Sequence, residues 1–466
     1  MMTDSLAAAW GRIAEEVATF EETIRGLPVV HQPDPLELRS ELEGRYSFDH
    51  PVPVDRLTNE VIDLLQRGLV HVTHPRYYGL YNPTVRPAAV VGDTLAALYN
   101  PQLAVWSHAP AVQELERLTL RHLARALGYD PDTTTAHFTS GGAEANLVAA
   151  LAALAMHCPA AATGGLRALD RQPVLYLSRE SHHSFVKAAR MSGLGTDAVR
   201  EVPLDDRYCM DPGALDRMMA DDAAAGLHPF LVVGTAGTTG TGMIDPLHDL
   251  ADVAARHDAW FHVDAAWGGA AVLSPALRGH LGGIERADSI TWDAHKWLSV
   301  PMGAGMVFTR HPAAAERAFS VASGYMPPAT SAVTVDPHLV TPQWSRRATG
   351  LKVFCALAEL GLDGYARLID HQAAMGDLLR GQLGSAGWVV VNDTPLPVVN
   401  FTHADIREGR TTAIALRDAI YARGNAWVSA LPDACGEPAL RACITSYLTT
   451  EADIVALVEE LEAVRG

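Results

Sequence analysis

Two residues that each follow an apolar segment, Asp264 and Lys296, carry the clearest chemical signal in the sequence. Asp264 closes the segment AWFHVD, and Lys296 lies in TWDAHKWLSVP. A lysine that is taken out of water loses its proton more readily and becomes a nucleophilic amine. A carboxylate at the end of a strand can cap a turn, but beside such a lysine it can also keep a ring nitrogen protonated. The pair predicts a site for pyridoxal 5′-phosphate (PLP), with Lys296 forming the imine and Asp264 the pyridinium partner.

A phosphate group is bound by backbone amides that approach it closely, and the segment FTSGGAEANLVAALAAL (138–154) predicts such a phosphate-binding site. Ser140, Gly141 and Gly142 precede an apolar run that indicates a helix. The small residues let the backbone come near an anion, and the first amides of the helix point at it.

Two further turns follow apolar segments and carry groups that a cofactor could use. GTAGTTGTG (234–242) offers the hydroxyl groups of Thr238 and Thr239, and it lacks the glycine pattern of a dinucleotide-binding turn. SHHSFVKAAR supplies an imidazole that can lie flat over a pyridine ring, from either His182 or His183.

Short continuous apolar runs predict strands that are buried on both faces. They alternate with helical segments such as 245–257, where Asp245 is the predicted N-cap. This alternation predicts an α/β fold with a mostly parallel sheet, and ligands bind at the carboxyl ends of such strands. The predicted strands are 173–178, 229–235, 259–264, 288–292 and 304–309.

The chain divides into three predicted parts: a helical segment 1–85, a large α/β domain 86–345 and a smaller α+β domain 346–466. The first part begins with an amphipathic helix and ends in the loop HPRYYGLYNPTVRP. The last part contains a long helix 347–360, a strand 388–392 and a terminal helix 450–464.

Composition excludes several classes of partner. The net charge of −18, from 36 basic and 54 acidic residues, disfavours nucleic acid and anionic membranes. The five cysteines are scattered without a C-x-x-C pair, so we expect neither a disulfide framework nor a metal site, and a cytoplasmic location. We also expect no signal peptide, and no apolar run reaches the roughly 18 residues of a membrane span.

Taken together, these segments resemble the group II PLP-dependent decarboxylases, the family of aromatic-amino-acid, glutamate and diaminobutyrate decarboxylases. The resemblance implies the PLP-dependent transferase-like fold type I and an obligate homodimer with its active site between the subunits, where the N-terminal segment wraps the partner. It also implies conversion of an L-amino acid to an amine and carbon dioxide. The matching stretches are HPRYYGLYNPT, TSGGAEANL, SHHSFVKAAR, GTAGTTG, HVDAAWGG, DAHKW, QWSRR and LRACIT.

The resemblance assigns roles to single residues. Lys296 matches the Schiff-base lysine, Asp264 the pyridinium partner, and His182 the stacking histidine, with His183 as the alternative. Arg441, in LRACIT, matches the arginine that holds the substrate carboxylate. Ala266 matches the small residue under the ring, and Ser140, Thr239, Asp293 and His295 match positions around the phosphate and the cofactor; Asp293 stands where the family often has asparagine.

One segment departs from the family. A mobile loop before the Arg-Arg pair usually carries a tyrosine that protonates the substrate carbon after carbon dioxide leaves. Here that position falls on Pro337, which cannot transfer a proton. The neighbouring His338 can do so, Tyr325 lies farther back in the same loop, and a loop without any acid is the third possibility.

The reaction and the substrate are left with alternatives. The leading hypothesis is an amino-acid decarboxylase. The alternatives are a retro-aldol lyase or a decarboxylation-dependent oxidative deaminase on the same scaffold, and a non-catalytic PLP-binding protein. Tyr81 and Trp106 are the predicted substrate-binding aromatics, which favour an aromatic or apolar amino acid. Arg76 and Arg86 favour an acidic one.

Overall fold

Four α-helices lie between residues 2 and 99 in the computed structural model, which describes residues 2–327 and 330–465. The predicted amphipathic N-terminal helix is confirmed as α1, and the proline- and tyrosine-rich stretch forms neither a helix nor an extended strand. None of the helices in those described ranges combines the length and the apolar character needed to cross a membrane. The four helices are α1 (Met2–Gly26), α2 (Pro35–Arg45), α3 (Val54–Gly68) and α4 (Pro87–Tyr99).

The apolar runs that predicted strands all lie in one seven-stranded sheet, and their ends agree to within one residue. Its order is β1-β7-β6-β5-β4-β2-β3, with β7 antiparallel to both neighbours and the remaining pairs parallel. The strands are β1 (Thr135–Thr139), β2 (Pro173–Ser178), β3 (Val199–Val202), β4 (His228–Thr235), β5 (Trp260–Asp264), β6 (Ser289–Asp293) and β7 (Gly305–Thr309).

Helices cover both faces of this sheet, because every residue of β2, β5, β6 and β7 is buried although alternate side chains point in opposite directions. The mostly parallel α/β fold is therefore confirmed. The helices of this region are α5 (Pro110–Ala126), α6 (Gly142–His157), α7 (Ala161–Gly164), α8 (Ser184–Met191), α9 (Pro212–Ala224), α10 (Leu247–Arg256) and α11 (Pro312–Phe319).

The prediction that Asp245 caps α10 was wrong. Its carboxylate instead accepts hydrogen bonds from the backbone N–H groups of Met210 and Thr235, both at 2.8 Å. Pro246 precedes the helix without a side-chain cap. Because Asp245 is buried beside the end of β4, its oxygens satisfy strand and loop amides, and burial raises its pKa to about 6.

The C-terminal part packs a second sheet, with antiparallel order β10-β11-β9-β8, against helices. The predicted helix 347–360 is the first portion of α12, which continues past a break at Gly361, where φ is 67°. The predicted strand is shortened to β8, and the terminal helix is confirmed as α15. The division into three domains stays a prediction. The elements are α12 (Gly350–Ser385), β8 (Val389–Val390), β9 (Val398–Thr402), α13 (Ala404–Arg407), α14 (Ala413–Arg423), β10 (Ser429–Ala434), β11 (Glu437–Cys443) and α15 (Glu451–Arg465).

Candidate active site

Strands β4, β5 and β6 end at one cavity, at the carboxyl edge where the fold predicts a ligand. The first residues of α6 form another wall. Predicted site residues therefore lie together at the edge of the sheet where the sequence predicted a ligand. The cavity is lined by Tyr81, Gly142, Ala143, Asn146, His182, Thr235, Gly237, Thr239, Asp264, Ala266, Trp267, Asp293 and Lys296.

Lys296 lies in this cavity beside a buried carboxylate. Its Nζ is 3.1 Å from Oδ2 of Asp293, a side chain that is only 2% exposed. Oδ1 of Asp293 is buried and has no hydrogen-bond partner among the described residues. His295 lies 3.8 Å from the same carboxylate through Nε2, and burial lowers the pKa of its ring. The arrangement presents a primary amine and an unsatisfied oxygen to a ligand.

Asp264 is held by two donors at the end of β5. Oδ1 accepts a hydrogen bond from the backbone N–H of Ala266 at 3.1 Å, and Oδ2 accepts one from Nδ2 of Asn146 at 2.7 Å. Sequence reasoning missed Asn146. The available signal was its amide side chain within the apolar run ANLVAALAAL, because a polar group in a buried helix needs a partner.

The structure separates the two candidate histidines. His182 lines the cavity, and its Nδ1 accepts a hydrogen bond from the backbone N–H of Ser184 at 3.2 Å. Partial burial lowers the pKa of His182, while the charge of Asp264 opposes that shift. His183, at the start of α8, does not line the cavity, and this is what distinguishes the two residues, because both are exposed in the described chain.

Gly142 starts α6 against the wall of the cavity, and no side chain fits there. A Cβ at this position would lie 2.8 Å from Oδ2 of Asp293 and 3.3 Å from the Cβ of Ala266. Ser140 and Gly141 border the cavity without lining it, and the backbone N–H of Ser140 donates to Glu144 at 2.7 Å. The helix start thus provides a close approach for an anion.

Arg441 is buried behind two cavity residues. Its guanidinium lies 5.3 Å from the ring centroid of Tyr81 and donates to the backbone oxygen of Thr239 and, at 3.1 Å, to Oγ of Ser429. The hydroxyl of Tyr81 also donates to the Thr239 oxygen, at 2.8 Å. Nε of Arg441 is buried without a partner among the described residues, so its N–H is left to donate.

The structure does not bring the predicted loop acids or Trp106 to the Lys296 cavity of the same chain. Trp106 lines a different, larger cavity between α5, β1 and the segment 333–340. His338 is buried, its Nδ1 donates to the backbone oxygen of Ala104 at 3.0 Å, and Tyr325 is 77% exposed. This second cavity contains neither Lys296 nor Asp264.

The residues of the first cavity fit PLP. Nζ of Lys296 can form an imine with the aldehyde of PLP. The carboxylate of Asp264, which accepts two hydrogen bonds, can pair with the ring nitrogen, and the start of α6 at Gly142 can bind the phosphate. The unsatisfied carboxylate oxygen of Asp293 also indicates that the polar site is incomplete without a ligand.

Comparisons with known proteins agree with this chemistry. Residues 35–403 match the model of the pyridoxal-dependent decarboxylase conserved domain. The chain is 30% identical over 399 residues to tryptophan decarboxylase 1 of Oryza sativa subsp. japonica, which covers 81% of this chain and 77% of that protein. The crystal structure of mouse CSAD superposes with a TM-score of 0.90 at 28% identity, covering 99% of this chain and 98% of the other. The crystal structure of Oryza sativa TDC with PLP and tryptamine gives 0.90 at 26% identity, covering 99% and 97%.

Proposed function

Because the chain belongs to the pyridoxal-dependent decarboxylase family and decarboxylates amino acids with PLP, we propose that its substrate is an aromatic L-amino acid. The observation that carries this proposal is the aromatic wall of the cavity. Tyr81 and Trp267 lie with ring centroids 4.9 Å apart, and Trp267 stacks on Trp297 at 4.6 Å with an interplanar angle of 7°. Such surfaces favour planar apolar side chains. The tryptophan decarboxylase of Oryza sativa, which shares 30% identity, supports the same choice.

The two arginines that could select an acidic side chain are already paired. Nε of Arg76 lies 2.9 Å from Oδ1 of Asp453, and Nη2 of Arg86 lies 2.7 Å from Oε1 of Glu359. Among the described residues that line the cavity, Lys296 is the one lysine, and there is no arginine. A carboxylate side chain would therefore lose its hydration there without gaining a dedicated cation.

We assign the chain's residues as follows. PLP, when bound, accepts the electrons of the Cα–carboxylate bond as carbon dioxide leaves. Lys296 holds the cofactor through Nζ, Asp264 keeps a proton on the ring nitrogen, and His182 lies against the ring. Arg441 binds the substrate carboxylate with its unpartnered Nε–H. The proposed cofactor contacts are Gly142, Thr239 and Ala266, which line the cavity, and Ser140, Gly141 and His295, which lie next to lining residues.

We further propose that the chain forms a homodimer through its N-terminal helices. α3 is strongly amphipathic, yet none of its residues is buried in the single chain. Leu6 and Trp10 of α1 are 50% and 48% exposed, and Leu65 of α3 is 48% exposed. Apolar surface of this kind marks an association site. The cytoplasmic location stays a prediction, consistent with cysteines that are all free in the described part of the chain.

The substrate proposal is tested by assaying amine formation by mass spectrometry with a panel of L-amino acids. L-Tryptophan, L-phenylalanine and L-tyrosine are expected to give kcat/KM at least about 100-fold above L-glutamate, L-aspartate and L-2,4-diaminobutyrate, since desolvating an unpaired charge costs several kcal/mol. A preference for an acidic substrate would contradict the proposal. Carbon dioxide, ammonia, peroxide and aldehyde are measured in the same samples, so that a lyase or an oxidative deaminase would also be detected.

His338 is proposed to protonate Cα in the cavity of the second subunit. Its Nδ1–H is bound to the Ala104 oxygen, so the ring must be doubly protonated to donate a proton, and it then does so through Nε2. His338→Phe is expected to leave carbon dioxide release within about threefold of the parent but to divert product in air from amine to aldehyde, ammonia and peroxide, because general acids contribute roughly 10²–10⁴-fold.

Tyr325→Phe is the matched control, because Tyr325 shares the loop and its ring lies 6.0 Å from that of Trp344, which also contacts His338 at 5.0 Å. If Tyr325→Phe alone changes the product ratio, Tyr325 is the donor. An unchanged ratio in both variants would show that the loop carries no acid.

A further inference from the structure

A line of buried polar side chains extends from Asp264 away from the cavity and into the fold. Trp260, His262 and Asp264 alternate along β5, so all three point to the same face of the sheet, toward α6. His262 is opposite Ser289 of β6 in the sheet register, and Asn146 of α6 lies between His262 and Asp264. His262 and Ser289 do not line the cavity, and nothing in the chemistry described so far uses them.

The contacts in this line are close enough to fix every donor and acceptor. Nε1 of Trp260 is 2.8 Å from Oγ of Ser289, which is 2.7 Å from Nδ1 of His262. Nε2 of His262 is 3.2 Å from Oδ1 of Asn146. Nδ2 of Asn146 donates at 2.9 Å to Oγ of Ser184 and at 2.7 Å to Oδ2 of Asp264.

The direction of the hydrogen bonds follows from one group that can only accept. The carboxylate of Asp264 takes the amide N–H of Asn146, so the amide oxygen of Asn146 faces Nε2 of His262. A neutral ring must then carry its proton on Nε2 and donate it to that oxygen, which leaves Nδ1 to accept from the hydroxyl of Ser289. Oγ of Ser289 accepts in turn from the indole N–H of Trp260, which can only donate.

Burial keeps this arrangement in a single protonation state. His262 is fully buried, its ring packs 5.5 Å from that of Phe185, and desolvation lowers its pKa to about 4. A doubly protonated ring would also turn Nδ1 from an acceptor into a donor, and the hydroxyl proton of Ser289 would lose its acceptor.

We propose that His262, directed by Ser289 and Trp260, is a positioning residue that locks the amide of Asn146 so that an N–H, and not a carbonyl oxygen, faces Asp264. A reversed amide would place an oxygen 2.7 Å from the carboxylate, raise the proton affinity of Asp264 and weaken its hold on a protonated pyridine nitrogen. The inference rests on the proposed role of Asp264.

The test compares two substitutions at one position. Glutamine can place an N–H where Nε2 lies, whereas asparagine reaches only the place of Nδ1, so His262→Gln keeps the donor to Asn146 and His262→Asn loses it. Ser289→Ala is the second variant. It removes the hydroxyl that donates to Nδ1 of His262, so that the ring proton is free to move to Nδ1, and it changes the side-chain volume little. The readouts are the dissociation constant of PLP from each protein and the ¹⁵N chemical shift of ring-labelled PLP bound to it, with thermal unfolding recorded alongside.

His262→Asn and Ser289→Ala are expected to weaken PLP binding by about tenfold and to move the ring ¹⁵N signal toward that of the unprotonated nitrogen. His262→Gln is expected to stay within about threefold of the parent with an unchanged signal. Equal effects of the asparagine and glutamine variants, or an unshifted signal in His262→Asn, would overturn the relay and leave His262 as a packing residue.

Asp264→Asn distinguishes failure of the relay from failure of its premise. If Asp264→Asn shifts the nitrogen signal while His262→Asn does not, only the relay is wrong. If Asp264→Asn leaves the nitrogen protonated, the role of Asp264 fails and the relay fails with it.

Discussion

Replacing Lys296 with alanine is expected to abolish the visible absorption band of the bound cofactor and to lower kcat by about 10³-fold or more, in keeping with the loss of a covalent catalytic residue. The reason is that Nζ of Lys296 is the amine of the cavity, 3.1 Å from Asp293. The measurements are the absorption spectrum after dialysis with excess PLP and the rate of amine formation.

Removing Lys296 also leaves the buried carboxylate of Asp293 without its cation, which can lower stability by itself. Lys296→Arg controls for this effect, because it keeps the charge but cannot form an imine. Lys352→Met is the second control: Lys352 is buried, and its Nζ donates to the backbone oxygen of Met302 at 2.7 Å. Survival of the band in Lys296→Ala, with its loss in Lys352→Met, would transfer the attachment site to Lys352.

Asp264→Asn is expected to lower kcat by roughly 10³-fold, which corresponds to several kcal/mol of lost stabilisation of the developing charge. Asn146 donates to one oxygen of Asp264 and the Ala266 N–H donates to the other, so in the variant the new amide is expected to turn its oxygen to the closer donor, Asn146. Its NH₂ group then replaces the second oxygen, loses the bond from Ala266 and meets the ring nitrogen as a donor. A donor there cannot hold a proton on that nitrogen.

The phosphate end of the cavity is untouched by this change, so the dissociation constant of PLP is expected to rise far less than kcat falls. Steady-state kinetics and PLP titration of the same preparation measure both quantities. Turnover within tenfold of the parent would remove Asp264 from its proposed role.

The strands and the main site residues were predictable because they depend on local chemistry. Continuous apolar runs marked the strands, and the residues that follow them, Asp264 and Lys296, reach the same edge of the sheet. The relay behind Asp264 was not predictable in the same way. It requires the register between β5 and β6 and the rotation of α6 about its axis, neither of which any short segment specifies.

Other misses have the same origin. Asp245 stands at a position that suits a helix cap, but the loop containing Met210 and the end of β4 offer it two backbone donors in a buried place. The partners of Arg441 were missed as well, because the Thr239 oxygen and Ser429, which two of its nitrogens contact, are distant from it in sequence; its role toward the substrate carboxylate stays a prediction.

The reversed strand β7 has a consequence for how the lysine moves. The chain leaves β6 at Asp293 and returns at Gly305, and these two residues are directly paired in the sheet. Just beyond them, the backbone N–H of Ala294 donates to the oxygen of Ala304 at 2.8 Å. Lys296 thus lies in the connection 294–304 between β6 and β7, whose two ends are held together by this pairing. With its backbone held in this way, Lys296 would move its amine relative to a bound PLP by rotation about the bonds of its own four-carbon side chain.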